Sequence, residues 1–270
     1  MGKIRPFIIC AAIYIAVGAI AAGVAGRVGR APVVLMYHSI SDSDFQVTAG
    51  NFEAQIGFLS SGGFTFLFPE EIAYAYRHER PVVITFDDGF RDNYEVAFPI
   101  LKRYNAKAVV FMITGEIGND GFLTAEQIKS LEASGLVRVE PHTRSHVDLT
   151  QVSLDGARRQ IQEGNAALSE ITGREHRVFA YPFGGFDAEI KKIVAEYYDI
   201  AFAVENGSRD MLAFRRHSVF NDMLRFRLTV AAPEQLVLAA ALFVAFGGAL
   251  TGGVIIIVRG RVNKNRGVQA

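Results

Sequence analysis

Short apolar runs alternate along most of this chain with stretches in which hydrophobic residues recur every three or four positions. Val33-Val34-Leu35-Met36-Tyr37 reads as a buried strand, and Phe52, Ile56 and Leu59 as one face of a helix stopped by Ser61-Gly62-Gly63. Phe64 to Phe68 follows as a short strand, and Pro69 opens a helix over Glu70 to Arg77. Val82 to Phe86 is the next strand. Tyr94, Phe98 and Leu101 then mark a helix that Pro99 bends or breaks. Beyond it come strands at Ala108 to Ile113, Leu136 to Val139, Val178 to Tyr181 and Ile200 to Val204. Between these strands lie helices at Thr124 to Ala133, Leu154 to Ile171 and Asp187 to Tyr197. Thr124 with Gln127 forms a capping box, and Gly135 and Gly173 are stop signals. Strand and helix alternate about six or seven times, the pattern of a parallel α/β sheet or a closed barrel.

Two further runs are apolar without any such alternation. Phe7 to Gly26 carries no charge and is preceded by Lys3 and Arg5. Its length suits an uncleaved membrane-spanning helix better than the shorter core of a signal peptide cleaved near Ala21 to Ala25. Leu236 to Val258 is also free of charge and is followed by Arg259, Arg261, Lys264 and Arg266. The expected layout is an N-terminal anchor at 1–30, a domain at 31–235, a second span at 236–258 and a basic cytoplasmic tail at 259–270. Positive residues at both chain ends place the domain on the periplasmic or extracellular side of a cell membrane. Arg27, Arg30, Arg225 and Arg227 pull the other way.

Composition narrows the field further. The 270 residues are 50% hydrophobic and carry zero formal net charge, so there is no electrostatic footprint for nucleic acid. The one cysteine, Cys10, lies in the first apolar run and has no partner for an internal disulfide.

Polar residues fall where the strands end. Val82 to Phe86 runs directly into Asp87-Asp88-Gly89. Two adjacent carboxylates at the mouth of a buried strand raise one another's pKa unless a cation lies between them or one keeps its proton. His38 follows the first strand, His142 and His146 the fifth, and Tyr181-Pro182-Phe183-Gly184 the sixth. Each feature alone has an ordinary reading as a turn or a packed core residue. In a (β/α) barrel, however, all these strand ends converge on one face. Two imidazoles four residues apart and one carboxylate make a three-ligand site for a zinc-like divalent cation, with a position left open. His78 and His176 read as solvated.

Thr85-Phe86-Asp87-Asp88-Gly89, His142-Thr143-x-x-His146 and Tyr181-Pro182-x-Gly184 resemble the first three motifs of the polysaccharide deacetylases, the NodB-homology family. Leu35-Met36-Tyr37-His38-Ser39-Ile40 and Ala180-Tyr181-Pro182 resemble the branch acting on poly-β-1,6-N-acetylglucosamine. The likeness covers roughly Val33 to Val219. It implies a distorted (β/α)7 barrel and metal-dependent removal of acetyl groups from N-acetylated sugars, with zinc the first candidate metal. Carried over by position, Asp88, His142 and His146 bind the metal, Asp87 is the general base and His38 the general acid. The turn Tyr181, Pro182 and Phe183 serves oxyanion and substrate, through a backbone N–H near Phe183.

Two departures stand out. Family members with an Arg before the third motif use it to orient the base, and Ala180 occupies that place here. The Leu-x-x-His motif that supplies an acid elsewhere has no clean match, and His217 is the late alternative to His38. The expected partners are an N-acetylated polysaccharide, the membrane, and glycan synthesis or export proteins. The competing readings are a deacetylase of peptidoglycan or a chitin-like glycan, and a non-catalytic membrane-bound glycan-binding or assembly protein.

Overall fold

Three largely apolar runs form the centre of the fold, and the two hydroxyls in them, on Tyr37 and Thr85, are satisfied inside by Gln55 and the Leu35 carbonyl. The computed structural model describes residues 32–43 and 46–230. Strands β1 (Val33–Tyr37), β3 (Pro81–Phe86) and β4 (Ala108–Met112) are buried at every position. Such continuous burial belongs to a parallel sheet covered on both faces. With β5 (Val137–Pro141) and the two-residue strands β2 (Thr65–Phe66) and β9 (His217–Ser218), they make a six-stranded sheet in the order β5-β4-β3-β1-β9. Strand β2 pairs with the beginning of β3, at Pro81 and Val82, while β4 pairs with its end, at Thr85 and Phe86. A second sheet holds β6 (Val178–Ala180), β7 (Ile200–Ala203) and β8 (Phe214–Arg215). Every pairing within the sheets is parallel, so the strands of each sheet end on the same side.

The helices start where side chains satisfy their free N–H groups. Thr124 accepts from the Gln127 N–H while the Gln127 side chain accepts from the Thr124 N–H, which opens Ala125–Ala133 as the sequence predicts. Ser153 caps Leu154–Thr172, and Gly173 ends it in the left-handed conformation. Asp187 caps Ala188–Ala195 through the N–H groups of Glu189 and Ile190. Two expected helices differ in kind. Pro69–Arg77 is a 3-10 segment. The helix containing Pro99 begins as a wide π turn over Asn93–Ala97 and becomes α-helical only at Phe98–Arg103. A proline has no N–H to donate, so the standard ladder is interrupted there.

The α/β class stands, but hydrogen bonding does not close a ring among the described residues. Side chains occupy the seam between β5 and β6. The Val139 N–H donates to Glu132 and its carbonyl accepts from Arg174, while the Ala180 carbonyl accepts from the His142 ring. His176, expected in solvent, is buried in the same region, 3.0 Å from both Glu140 and Thr172. Its principal partner lies 36 residues earlier in the chain, out of reach of local pattern reading. No helix among the described residues is long and apolar enough to cross a membrane, and both expected spans lie outside the described residues.

One close approach holds the end of β3 against β4. Gly89 has φ +81°, and a Cβ there would collide with the Met112 sulfur. Gly89→Ala is expected to cost about 1–3 kcal/mol through overpacking and backbone strain. Met112→Ala is itself costly at a fully buried position, but the double variant should lose less than the sum of the two singles, because the truncation clears the clash but not the φ. Urea unfolding of the two single variants and the double variant checks this. Additive losses would mean that the two residues do not meet.

Candidate active site

The carboxyl ends of β1, β3 and β5 carry the polar residues singled out above. The Asp87 N–H donates to the Tyr37 carbonyl, extending the β1–β3 ladder by one residue and holding Asp87 in place. The next residue leaves the ladder, with Asp88 at φ +72°. Two strands away, past the end of β5, the His142 N–H donates to the Met112 carbonyl at the end of β4. The loop then turns through Thr143 (φ +64°) and His146 (φ +54°). The His146 N–H is caught by the Thr143 hydroxyl, and the Arg144 N–H by the Gln160 carbonyl. Phe183, in the turn after β6, has φ +58°. Among the described residues five non-glycine positions have positive φ, and four of them are these. Each stores roughly 1–3 kcal/mol, held by the surrounding contacts.

The strained backbone brings three donors together. One ligand atom each from Asp88, His142 and His146 lies within 4.8 Å of the others. His146 Nε2 stands 3.3 Å and His142 Nε2 3.9 Å from Asp88 Oδ1. That oxygen is buried and has no hydrogen-bond partner among the described residues. A buried carboxylate oxygen without a partner costs several kcal/mol unless something cationic or a proton meets it. Burial first, and the adjacent Asp87 charge second, push the Asp88 carboxyl above its ordinary range.

His142 is prepared in the opposite sense. Burial, outweighing the pull of Asp87, lowers its pKa to about 4, so the ring is neutral at physiological pH. Its Nδ1 lies 2.7 Å from the Ala180 carbonyl, which as an acceptor requires Nδ1–H and leaves the Nε2 lone pair facing Asp88. A neutral imidazole, a second imidazole and an unpartnered carboxylate oxygen fit a divalent cation, with room for a further ligand.

Asp87 lies beside this group but has another partner. It is 4% exposed, and Arg216 clamps it at both oxygens, Nη1 to Oδ1 at 2.5 Å and Nη2 to Oδ2 at 2.7 Å. Burial alone would raise its pKa, but Arg216, then His142 and His38, outweigh burial and bring it to about 2. Arg216 is fully buried, donates from Nε to the Ala203 carbonyl and lies over the Phe111 ring. No motif pointed to it. The available signal was alternation: in Phe214-Arg215-Arg216-His217, position 216 shares a face with 218 and lies between two short strands. It places a guanidinium on Asp87 from a different part of the chain than position 180.

The remaining candidates divide. His38 is half-buried after β1, and its charge acts on both Asp87 and Asp88. His217 pairs with β1 opposite Leu35 but is exposed, on the other side of its strand from buried Arg216. The Tyr181 side chain does not face the site: it is buried in the core, and its hydroxyl donates to the Leu212 carbonyl at 2.8 Å. Tyr181 and buried Pro182 therefore shape the turn, while the Phe183 ring is 69% exposed and 4.5 Å from the His146 ring.

Residues 75–198 match the sequence profile of the family described as polysaccharide deacetylase. YxkH of Bacillus subtilis, a protein named for that family, is 32% identical over 195 residues, covering 69% of this chain and 70% of its own. The chain belongs to the polysaccharide deacetylase family. Membership makes it an amide hydrolase by kinship. The poly-β-1,6-N-acetyl-D-glucosamine N-deacetylase of Staphylococcus aureus is 29% identical over 161 residues, 52% of this chain and 54% of that protein. This chain thus aligns with about half the length of that relative. IcaB from Ammonifex degensii superimposes with a TM-score of 0.67 at 29% identity, over 76% of this chain and 97% of IcaB.

The arginine clamp has a measurable consequence. Removing the guanidinium takes away the charge that holds Asp87 ionised, so its pKa rises. In Arg216→Met the acidic limb of the pH dependence of kcat/KM should therefore move toward neutrality, by about one to three units. Arg216→Lys should move it less. Stability should fall as well, by about 3–5 kcal/mol in the Met variant, since a buried carboxylate loses its partner. An acidic limb that stays in place in the folded Lys and Met variants would show that Arg216 does not set the state of Asp87.

Proposed function

We propose that this protein is a metal-dependent hydrolase that removes N-acetyl groups from a polysaccharide of the poly-N-acetylglucosamine kind. The observation that carries the reading is the division of labour between two neighbouring carboxylates. One is clamped by arginine and ionised, and the other turns an unpartnered oxygen toward two imidazoles. The name of the Staphylococcus aureus relative favours the β-1,6 polymer over peptidoglycan and chitin-like glycans.

Asp88, His142 and His146 would hold the cation, and zinc would suit two imidazoles and a carboxylate. When bound, the ion polarises the acetyl carbonyl and makes the attacking water more acidic. Asp87 takes the proton from that water, a service typically worth about 10²–10⁴-fold. Arg216 keeps it ionised and aimed. His38, as imidazolium, returns a proton to the departing sugar amine. The turn of Tyr181, Pro182 and Phe183 presents backbone N–H to the developing oxyanion. In the same reading the two sheets are arcs of a distorted (β/α)7 barrel. Membrane spans at 1–30 and 236–258 flank the domain at 31–235, which works outside the inner face beside glycan synthesis or export proteins.

Acetate release from a defined N-acetylglucosamine oligomer, with and without chelator, tests the reading. Asp87→Asn should lower turnover by at least about 10²-fold while the purified protein retains stoichiometric metal. Asp88→Asn and His146→Ala should lose the metal together with activity, as measured by elemental analysis. Near-normal acetate release from Asp87→Asn would remove Asp87 as the base. Release that is indifferent to chelator in metal-free protein would remove the metal.

A further inference from the structure

The last described helix, residues 223–230, is apolar on two faces, and only one of them is used by the domain. Phe226 and Val230 are buried in the core, with the Phe226 ring 6.3 Å from Phe58. At about 100° per residue, Leu224 and Leu228 form a crest pointing the other way. They are 69% and 55% exposed, and Phe220, three residues before the helix begins, is 40% exposed. Together these make up three of the eight large hydrophobic side chains exposed among the described residues.

The crest is flanked by arginines. Arg227 lies on one side, over the Phe58 ring, and Arg225 on the other, over the Phe220 ring. Neither has a carboxylate partner among the described residues. The nearest acid in sequence, Asp222, is engaged in capping the helix through the N–H groups of Leu224 and Arg225. On the Arg225 side the helix borders a cleft of about 250 Å³ that adds Arg215 and His217 against a single carboxylate, Glu205. Just beyond this helix the sequence enters the charge-free run Leu236 to Val258.

An outward leucine crest between unpaired arginines is the arrangement of a helix lying on an anionic lipid surface. The leucines enter the acyl boundary and the guanidinium groups reach the phosphates. We propose that residues 220–228 dock on a bilayer surface containing anionic phospholipid, through Phe220, Leu224 and Leu228 with Arg225 and Arg227. The claim shares with the proposed function only the reading of residues 236–258 as a span, and it does not depend on the chemistry of the site.

The protein contains no tryptophan, so a single introduced one is a clean reporter. The full chain carrying Leu228→Trp is reconstituted into vesicles of brominated phosphatidylcholine, with or without phosphatidylglycerol. Tyr76→Trp, at an exposed position on Pro69–Arg77, is the control. The expected result is fluorescence quenched several-fold at position 228 and unchanged at position 76. Quenching should be stronger with phosphatidylglycerol, and Arg225→Gln with Arg227→Gln should remove that difference. Acetate release in detergent should be unchanged in all these variants, which keeps this test separate from that of the active site. Unquenched fluorescence from the Leu228→Trp variant would overturn the proposal, as would quenching that ignores both phosphatidylglycerol and the arginines. A blue shift without bromine quenching would assign the face to a protein partner and equally overturn it.

Discussion

A guanidinium with no access to water holds a carboxylate with almost none, and the site depends on that pair. Arg216 reaches Asp87 from the junction between β8 and β9 and also donates to Ala203 at the end of β7. It thereby ties the second sheet to the central strand of the first. Burying both charges costs several kcal/mol per ion before their attraction is counted, and a well-packed apolar pair would serve stability as well or better. The pair therefore makes more sense as a device that decides a protonation state. With Arg216 in place, Asp87 is the carboxylate that ionises. Asp88, next in the chain and partly repelled by it, is left to find a cation or a proton.

The same logic extends to the backbone. A ladder hydrogen bond holds Asp87, whereas Asp88, Thr143, His146 and Phe183 all sit at positive φ. Strain of that kind persists only where neighbouring contacts determine the conformation. Those contacts are visible: the Thr143 hydroxyl under the His146 N–H, and the helix Leu154–Thr172 closing on the loop at Gly164. A Cβ at Gly164 would stand 3.0 Å from the Thr143 carbonyl carbon. The two imidazoles are thus positioned by the loop and its supporting helix, so the donor set is preorganised.

How much of this was legible in the sequence follows from the range of each signal. The buried strands, the capping box at Thr124 and the stop at Gly173 are local patterns, and they appear where the residues indicate. The gathering of Asp88, His142 and His146 needed one more premise, that parallel strands end together. Arg216 needed a contact 129 residues distant, made from a junction between strands of two residues each. Periodicity cannot establish a strand that short. The buried Glu140–His176 pair failed to show for the same reason. Both surprises are polar groups whose burial only a distant partner makes tolerable.

Ala180 shows what a missing motif residue means physically. The absent arginine would have stood at the end of β6, where the Ala180 backbone carbonyl, a group any residue would supply, accepts from the His142 ring. The requirement is a cation beside Asp87, and it belongs to the cavity, not to any one strand end. A guanidinium that enters from the β8–β9 junction supplies that cation from another part of the chain. The departure from the family pattern is therefore compensated within the fold. The Asp87 carboxylate keeps its charge by a different route, through a guanidinium 129 residues away in the chain.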